Sequence, residues 1–172
     1  MYRILTLEEA RSGALRQFHE YWLVKRGDRA LPSKSDIDPA DIKDILPYVI
    51  IADVFDQPLR VRYRLVGTEI VKLRGREFTG RWLHEAQWNP VFLERVLGEY
   101  RKVIDERQPL VGIDDLYPAN GPALAYEWGM FPLADDGERV THCLAIEDPR
   151  EIDRAQLLAR APVAHSSARP KS

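Results

Sequence analysis

Apolar residues recur three and four positions apart at Leu7, Ala10, Ala14, Leu15, Phe18, Tyr21 and Trp22, which makes one stripe on a helix from about Thr6 to Arg26, with Gly27 as its stop. Leu31 to Pro39 is a polar connector. Asp38 and Pro39 then have the residue types of an N-cap and a first helical position, and Pro47 ends that brief helix at or before Leu46. The period next changes to two. Tyr48 to Phe55 carries a nearly continuous apolar run, Val49 to Ala52, as in a strand covered on both faces. Asp56-Gln57-Pro58 is a tight turn. Leu59 to Val66 returns with Leu59, Val61, Tyr63 and Leu65 on one face and Arg60, Arg62 and Arg64 on the other.

Gly67 to Leu73 reads as helical, and Gly75, Thr79 and Gly80 punctuate an irregular stretch. Asn89-Pro90 opens a longer helix with Phe92, Leu93, Val96, Leu97, Tyr100, Val103 and Ile104 on one face, ending near Arg107. Three strands follow, Leu110 to Tyr117, Ala123 to Phe131 and Arg139 to Glu147. The turns between them are Pro118-Ala119-Asn120-Gly121 and Ala134-Asp135-Asp136-Gly137. Asp148, Pro149 and Glu151 open a terminal helix to about Arg160, followed by a tail expected to be disordered. The chain thus divides into an N-terminal amphipathic helix (1–30), one α+β domain (31–148), and a short helix with its tail (149–172).

At 172 residues, 45% hydrophobic and 30% charged, the composition is that of a globular domain. A net charge of −2 carries no broad basic footprint, so nucleic acid is not an expected partner. The longest apolar run is far short of a membrane span, and the amino end lacks the apolar core of a secretory signal. A single cysteine, Cys143, suits a reducing cytoplasm. These features predict a cytoplasmic protein without membrane partners.

An ordered set of short motifs adds a resemblance. It comprises Leu31-Pro32-Ser33, Ser35-Asp36-Ile37-Asp38-Pro39, Leu46-Pro47, Tyr63-Arg64-Leu65-Val66-Gly67-Thr68, Gly75-Arg76, Thr79-Gly80-Arg81 and Asp135-Asp136-Gly137. With these the chain resembles a PAS-like domain family common in alphaproteobacteria. The resemblance implies a PAS-like fold, a five-stranded antiparallel sheet with a helical crossover on one face and a small apolar cavity beneath. It also implies a role in sensing, with partners met through the other sheet face or an N-terminal helix.

Tyr63, Leu65, Val96, Tyr100, Tyr126, Trp128 and Leu144 are the candidates to line such a cavity, with His142 or a phenol as its polar group. The three arginines of the second strand read as an exposed face whose long stems cover apolar ground. His84, between Trp82 and Trp88, is a structural histidine or a haem ligand, and Cys143 is a small buried hydrophobe rather than a flavin-reactive thiol. The sequence identifies no cofactor. Adjacent Asp114 and Asp115 face opposite sides of a strand and cannot form an acid–base pair.

The expected function is a non-catalytic sensory or regulatory module. It acts by protein–protein contact with a signalling partner, with or without a small ligand. It also forms a homodimer through the aromatic stripe Phe18, Tyr21 and Trp22. A ligand-free dimeric scaffold is one alternative. The other is a small isomerase- or dehydratase-like enzyme, which requires a carboxylate and His142 to converge on one cavity.

Overall fold

The computed structural model describes residues 2–117 and 123–149. A six-stranded, wholly antiparallel sheet runs in the order β1-β4-β5-β6-β2-β3. Its strands are β1 (Arg3–Leu5), β2 (Val49–Phe55), β3 (Arg60–Val66), β4 (Leu110–Leu116), β5 (Leu124–Leu133) and β6 (His142–Asp148). Helix α1 (Gly13–Arg26) covers one face over β5 and β6, and α2 (Thr68–Arg74) with α3 (Pro90–Glu106) roofs the other. The five expected strands therefore join in one layer, and a sixth is added. β1 pairs Arg3 with Ile113 and Leu5 with Val111, extending the edge at β4. Three residues are too short for a period-two signal in the sequence. Leu5 buries beside Val111 and Ile113 in a small cluster separate from the main core.

Helix α1 starts seven residues later than its apolar stripe predicts. The Ser12 hydroxyl accepts the Leu15 N–H (3.2 Å) and so caps the helix at Gly13. Its stripe is spent inside the molecule. Phe18 and Trp22 are fully buried, Phe18 edge-on to Phe131 at 4.8 Å, and the Trp22 indole donates to the Pro132 carbonyl at 2.8 Å. Each such side chain contributes roughly 2–3 kcal/mol by burial. Phe18 and Trp22 are therefore not exposed to a second copy. The outer face of the helix carries Leu23 and the exposed Val24 instead.

The segment expected as a brief helix before Pro47 is a chain of tight turns ending in a 3₁₀ turn, Leu46–Tyr48. Its backbone bonds run mostly from i to i−3, as in Asp41 to Asp38 and Ile45 to Ile42. That spacing stacks Ile42 and Ile45 on the core side, where both are buried. The turn 118–121 and the terminal helix and tail expected beyond Asp148 fall largely or wholly outside the described residues.

Gly67, between β3 and α2, lies against the Leu46 and Pro47 backbone and donates its N–H to the Val49 carbonyl at 2.7 Å. A Cβ there would collide with the Pro47 carbonyl, which is backbone and cannot rotate away. Gly67→Ala should therefore destabilise the fold by about 1–3 kcal/mol, the usual cost of overpacking. A urea midpoint equal to that of the parent would show that this approach is not tight.

Candidate functional site

Between the helical roof and the sheet lies a cavity of about 60 Å³. Strand alternation brings Tyr126, Trp128 and Met130 of β5, and Ala145 and Glu147 of β6, to its floor. Tyr63 enters from β3, opposite Ala52. Helix α3 supplies Phe92, Val96, Glu99 and Tyr100, one stripe at spacings of three and four, and Asn89 caps that helix by accepting the Val91 N–H at 2.9 Å. Phe78 and Trp88, from the irregular stretch, close the side, their rings edge-on at 5.2 Å.

The structure thus gathers Tyr63, Val96, Tyr100, Tyr126 and Trp128 and leaves out the other candidates. Leu65 is a correction. Ile51 pairs with Leu65 but Ala52 pairs with Tyr63, so a bulge at Arg64 puts Leu65 on the opposite face, where it is 40% exposed. His142 and Leu144 are corrections for a simpler reason. They alternate with Cys143, Ala145 and Glu147 and so point to the α1 side of the sheet. His142 lies there with the Thr141 hydroxyl at 3.0 Å and the Asp53 and Asp135 carboxylates at 3.3 and 3.6 Å. Burial, foremost, lowers its pKa against the pull of those carboxylates. The convergence of His142 with a cavity carboxylate that an enzyme would require is not formed.

Four charged residues missed in the sequence line the cavity. Arg74 ends α2, and Gly75 in the left-handed region (φ 67°) closes the helix behind it. The guanidinium, 8% exposed, grips Glu147 through Nη2–Oε1 (2.7 Å) and Nε–Oε2 (3.2 Å), and Nη2 also donates to the Tyr126 hydroxyl (3.1 Å). It lies over the Tyr126, Phe92 and Trp88 rings at 5.2, 5.4 and 5.8 Å. Burial alone would lower its pKa, but the charge of Glu147 overrides that and holds it protonated. Tyr63, Tyr100 and Tyr126 are raised above the ordinary phenol value, chiefly by burial, so all three stay neutral.

At the other end, Arg95 pairs with Asp114 and lies over the Tyr2 ring at 4.3 Å. Its Nε is 3.8 Å from the Glu99 carboxylate, too long for a hydrogen bond. Burial raises the Glu99 pKa to about 7, against the Tyr2 hydroxyl that donates to it and the charge of Arg95. Phe92 was legible as a member of the α3 stripe, and Glu147 as in phase with Cys143 and Ala145. Nothing in the sequence marked Arg74, Arg95, Glu99 or Trp88 as cavity residues.

Haem and flavin do not fit these residues. The cavity is several-fold smaller than the roughly 300 Å³ at which pockets for drug-sized ligands begin. His84 is exposed and off the cavity wall, and the Cys143 thiol is fully buried and pushed up to about 12. On the outer face the arginine row is held in place, Arg64 by Asp53 at 2.8 Å and Arg60 over the Trp82 ring at 3.9 Å. Among the described residues, no helix is long and apolar enough to cross a membrane.

An antiparallel sheet with a helical roof over a small, partly charged cavity is the architecture of a sensor-type α+β domain. The chain belongs to the PAS domain family, whose model matches residues 10–146 and so begins after β1. No curated protein matches the sequence. Among solved structures, the PAS domain of Bordetella pertussis BvgS is similar over 84% of this chain and 93% of its own, at 15% identity and a TM-score of 0.50. An RNA-binding light-oxygen-voltage receptor matches over 70% of this chain at 19% identity and a TM-score of 0.44; the chain spans 36% of that receptor's length. The light state of the Aureochrome1 LOV domain covers 72% at 17% identity, with a TM-score of 0.45.

Two outcomes follow from the charges. Arg74→Met leaves Glu147 buried without its partner and should cost about 3–5 kcal/mol, most of it recovered in Arg74→Met/Glu147→Leu. Chemical denaturation of the three proteins checks this, and equal losses in the single and double variants would contradict it. In the folded protein Glu99 keeps its proton to about pH 7, in the unfolded chain to about 4.5. Between those values the folded form binds more protons, so stability should fall as pH rises through the window and level off above it. Glu127, also raised by burial, adds a slope of the same sign. Glu99→Gln should flatten the fall, and an unaltered profile in that variant would exclude Glu99 as its source.

Proposed function

We propose that this chain is a non-catalytic sensory or regulatory module of the cytoplasm. Its cavity takes a small ligand, and the ligand-bound state is passed on by contact with a signalling protein. A ligand acts in such a module by favouring one of two states that the partner distinguishes. The observation that carries the reading is the position of two neighbouring residues on β6. Glu147 faces the cavity and holds Arg74 of α2. Asp148 faces the other way and accepts the Ser12 hydroxyl, the cap of α1, at 2.7 Å. Beside it Glu127 accepts the Arg11 and Ser12 backbone N–H groups at 2.8 and 2.7 Å. A shift of Glu147 on ligand binding is therefore transmitted through one peptide unit to the anchor of α1.

Pairing of two copies along α1 is part of this reading, and the face that supports it is the outer one with Leu23 and Val24. Native mass spectrometry of the freshly purified full chain tests both halves. The expected result is a dimer carrying a small co-purified mass that is lost on denaturation, and Val24→Glu should shift the dimer to monomer. A protein of bare mass whose cavity holds ordered water alone in a crystal would remove the ligand from the reading. A Val24→Glu protein as dimeric as the parent would remove α1 as the interface.

A further inference from the structure

One exposed ring covers three side chains of the cavity wall from outside. Tyr2 stacks on Trp128, with ring centroids 6.3 Å apart and planes 10° from parallel, and the Arg95 guanidinium lies over it at 4.3 Å. Its hydroxyl donates to Glu99. Trp128, Arg95 and Glu99 all line the cavity, whereas Tyr2 does not and is 40% exposed. Gly112 is what allows the reach. It stands on β4 between Ile4 of β1 and Trp128 of β5, and a Cβ there would lie 2.4 Å from the indole and 2.8 Å from the Arg3 carbonyl. Without a side chain at that position the Trp128 ring lies across β4 and meets Tyr2.

The element that holds Tyr2 in place has the slightest attachment in the sheet. β1 is three residues long against seven in β4, and of its residues only Leu5 is buried, in the cluster apart from the main core. Arg3 and Ile4 are exposed, and the Arg3–Glu9 pair is a surface one that adds little. The turn behind β1 is self-contained. The Thr6 carbonyl accepts the Glu9 and Ala10 N–H groups at 3.2 and 3.3 Å, and the Glu9 carboxylate accepts the Thr6 N–H at 2.8 Å. Ser12 then anchors α1 through Asp148. A short edge element with few buried groups opens before the rest of a domain, and here no other element has to follow it.

We propose that β1 is a releasable strap. Paired with β4, it holds Tyr2 over the Trp128, Arg95 and Glu99 end of the cavity; unpaired, it uncovers that end to solvent and to an entering ligand. This rests on the ligand-binding reading above and names the step that regulates access to the same site. The hinge lies at Leu5–Thr6, between the last ladder pair and the closed turn. Release takes away the cover and leaves the wall standing, because Arg95 keeps Asp114 and Trp128 keeps its place in β5 between β4 and β6.

Two measurements on the full chain test the strap, and neither needs a ligand. In hydrogen exchange the β1 amides should exchange at least about tenfold faster than those of β5. Protein labelled with 5-fluorotryptophan gives a fluorine resonance for each indole, whose shift between H2O and D2O reads its contact with solvent. Leu5→Asp puts a charge among Val111 and Ile113, none of which lines the cavity, and so releases β1 from a distance. The Trp128 resonance should then gain most of the solvent shift of a free indole. That of Trp22, fully buried on the α1 side, should stay unmoved and show the fold intact. Where Trp22 moves, Leu5→Ala is read instead, with a smaller gain at Trp128 in the same direction. Tyr2→Ala removes the cover alone and should wet Trp128 as well. β1 amides as slow as those of β5, or a Trp128 indole as dry in the folded Leu5 variant as in the parent, overturns the strap. Either result leaves the sensory reading in place, which native mass spectrometry decides by itself.

Discussion

A guanidinium that is 8% exposed keeps its charge inside a domain only if a carboxylate meets it there, and the Arg74–Glu147 pair is the constraint around which this structure is arranged. It fixes the last residue of α2 onto the penultimate residue of β6, across 73 positions of sequence. Because its hydrogen bonds are fork-like, it fixes orientation as well as distance. The Tyr126 hydroxyl takes a further donor, and three aromatic rings close around the cation. Any reorganisation of the roof has to move this pair or break it.

The sheet carries that constraint to its other side. Residues on one strand alternate, so Glu147 and Asp148 point in opposite directions while sharing a peptide unit. The α1 side repeats the device with neutral donors in place of the cation. There, buried carboxylates Glu127 and Asp148, opposite each other on β5 and β6, are satisfied by N–H and hydroxyl donors at the start of α1. One acid ties the roof to the sheet and its neighbours tie the floor helix. The apolar contacts of Phe18 and Trp22 supply adhesion, but these polar contacts set the register of α1.

What the sequence disclosed was whatever depends on period. The strands themselves and the stripe of α3 follow from the spacing of apolar residues and the Asn89-Pro90 start from residue type, whereas the single layer of five strands came only with the PAS resemblance. Spacing failed where one residue broke the phase. The bulge at Arg64 moved Leu65 off the cavity, and a one-position error of phase on β6 put His142 in place of Glu147. It failed also where charge was read as surface. Arg74, Arg95 and Glu99 each look solvated in one dimension, and their burial is visible only once distant partners meet. β1 escaped notice because three residues and an edge pairing leave no pattern at all.

The persistence of the cavity has its own physical reason. Its walls are planar rings braced against one another, Tyr63 on Phe78 at 4.8 Å and Phe78 on Trp88 at 5.2 Å, and rings in edge contact cannot flow into a gap as aliphatic side chains do. The space is thus held open by rigid ring geometry.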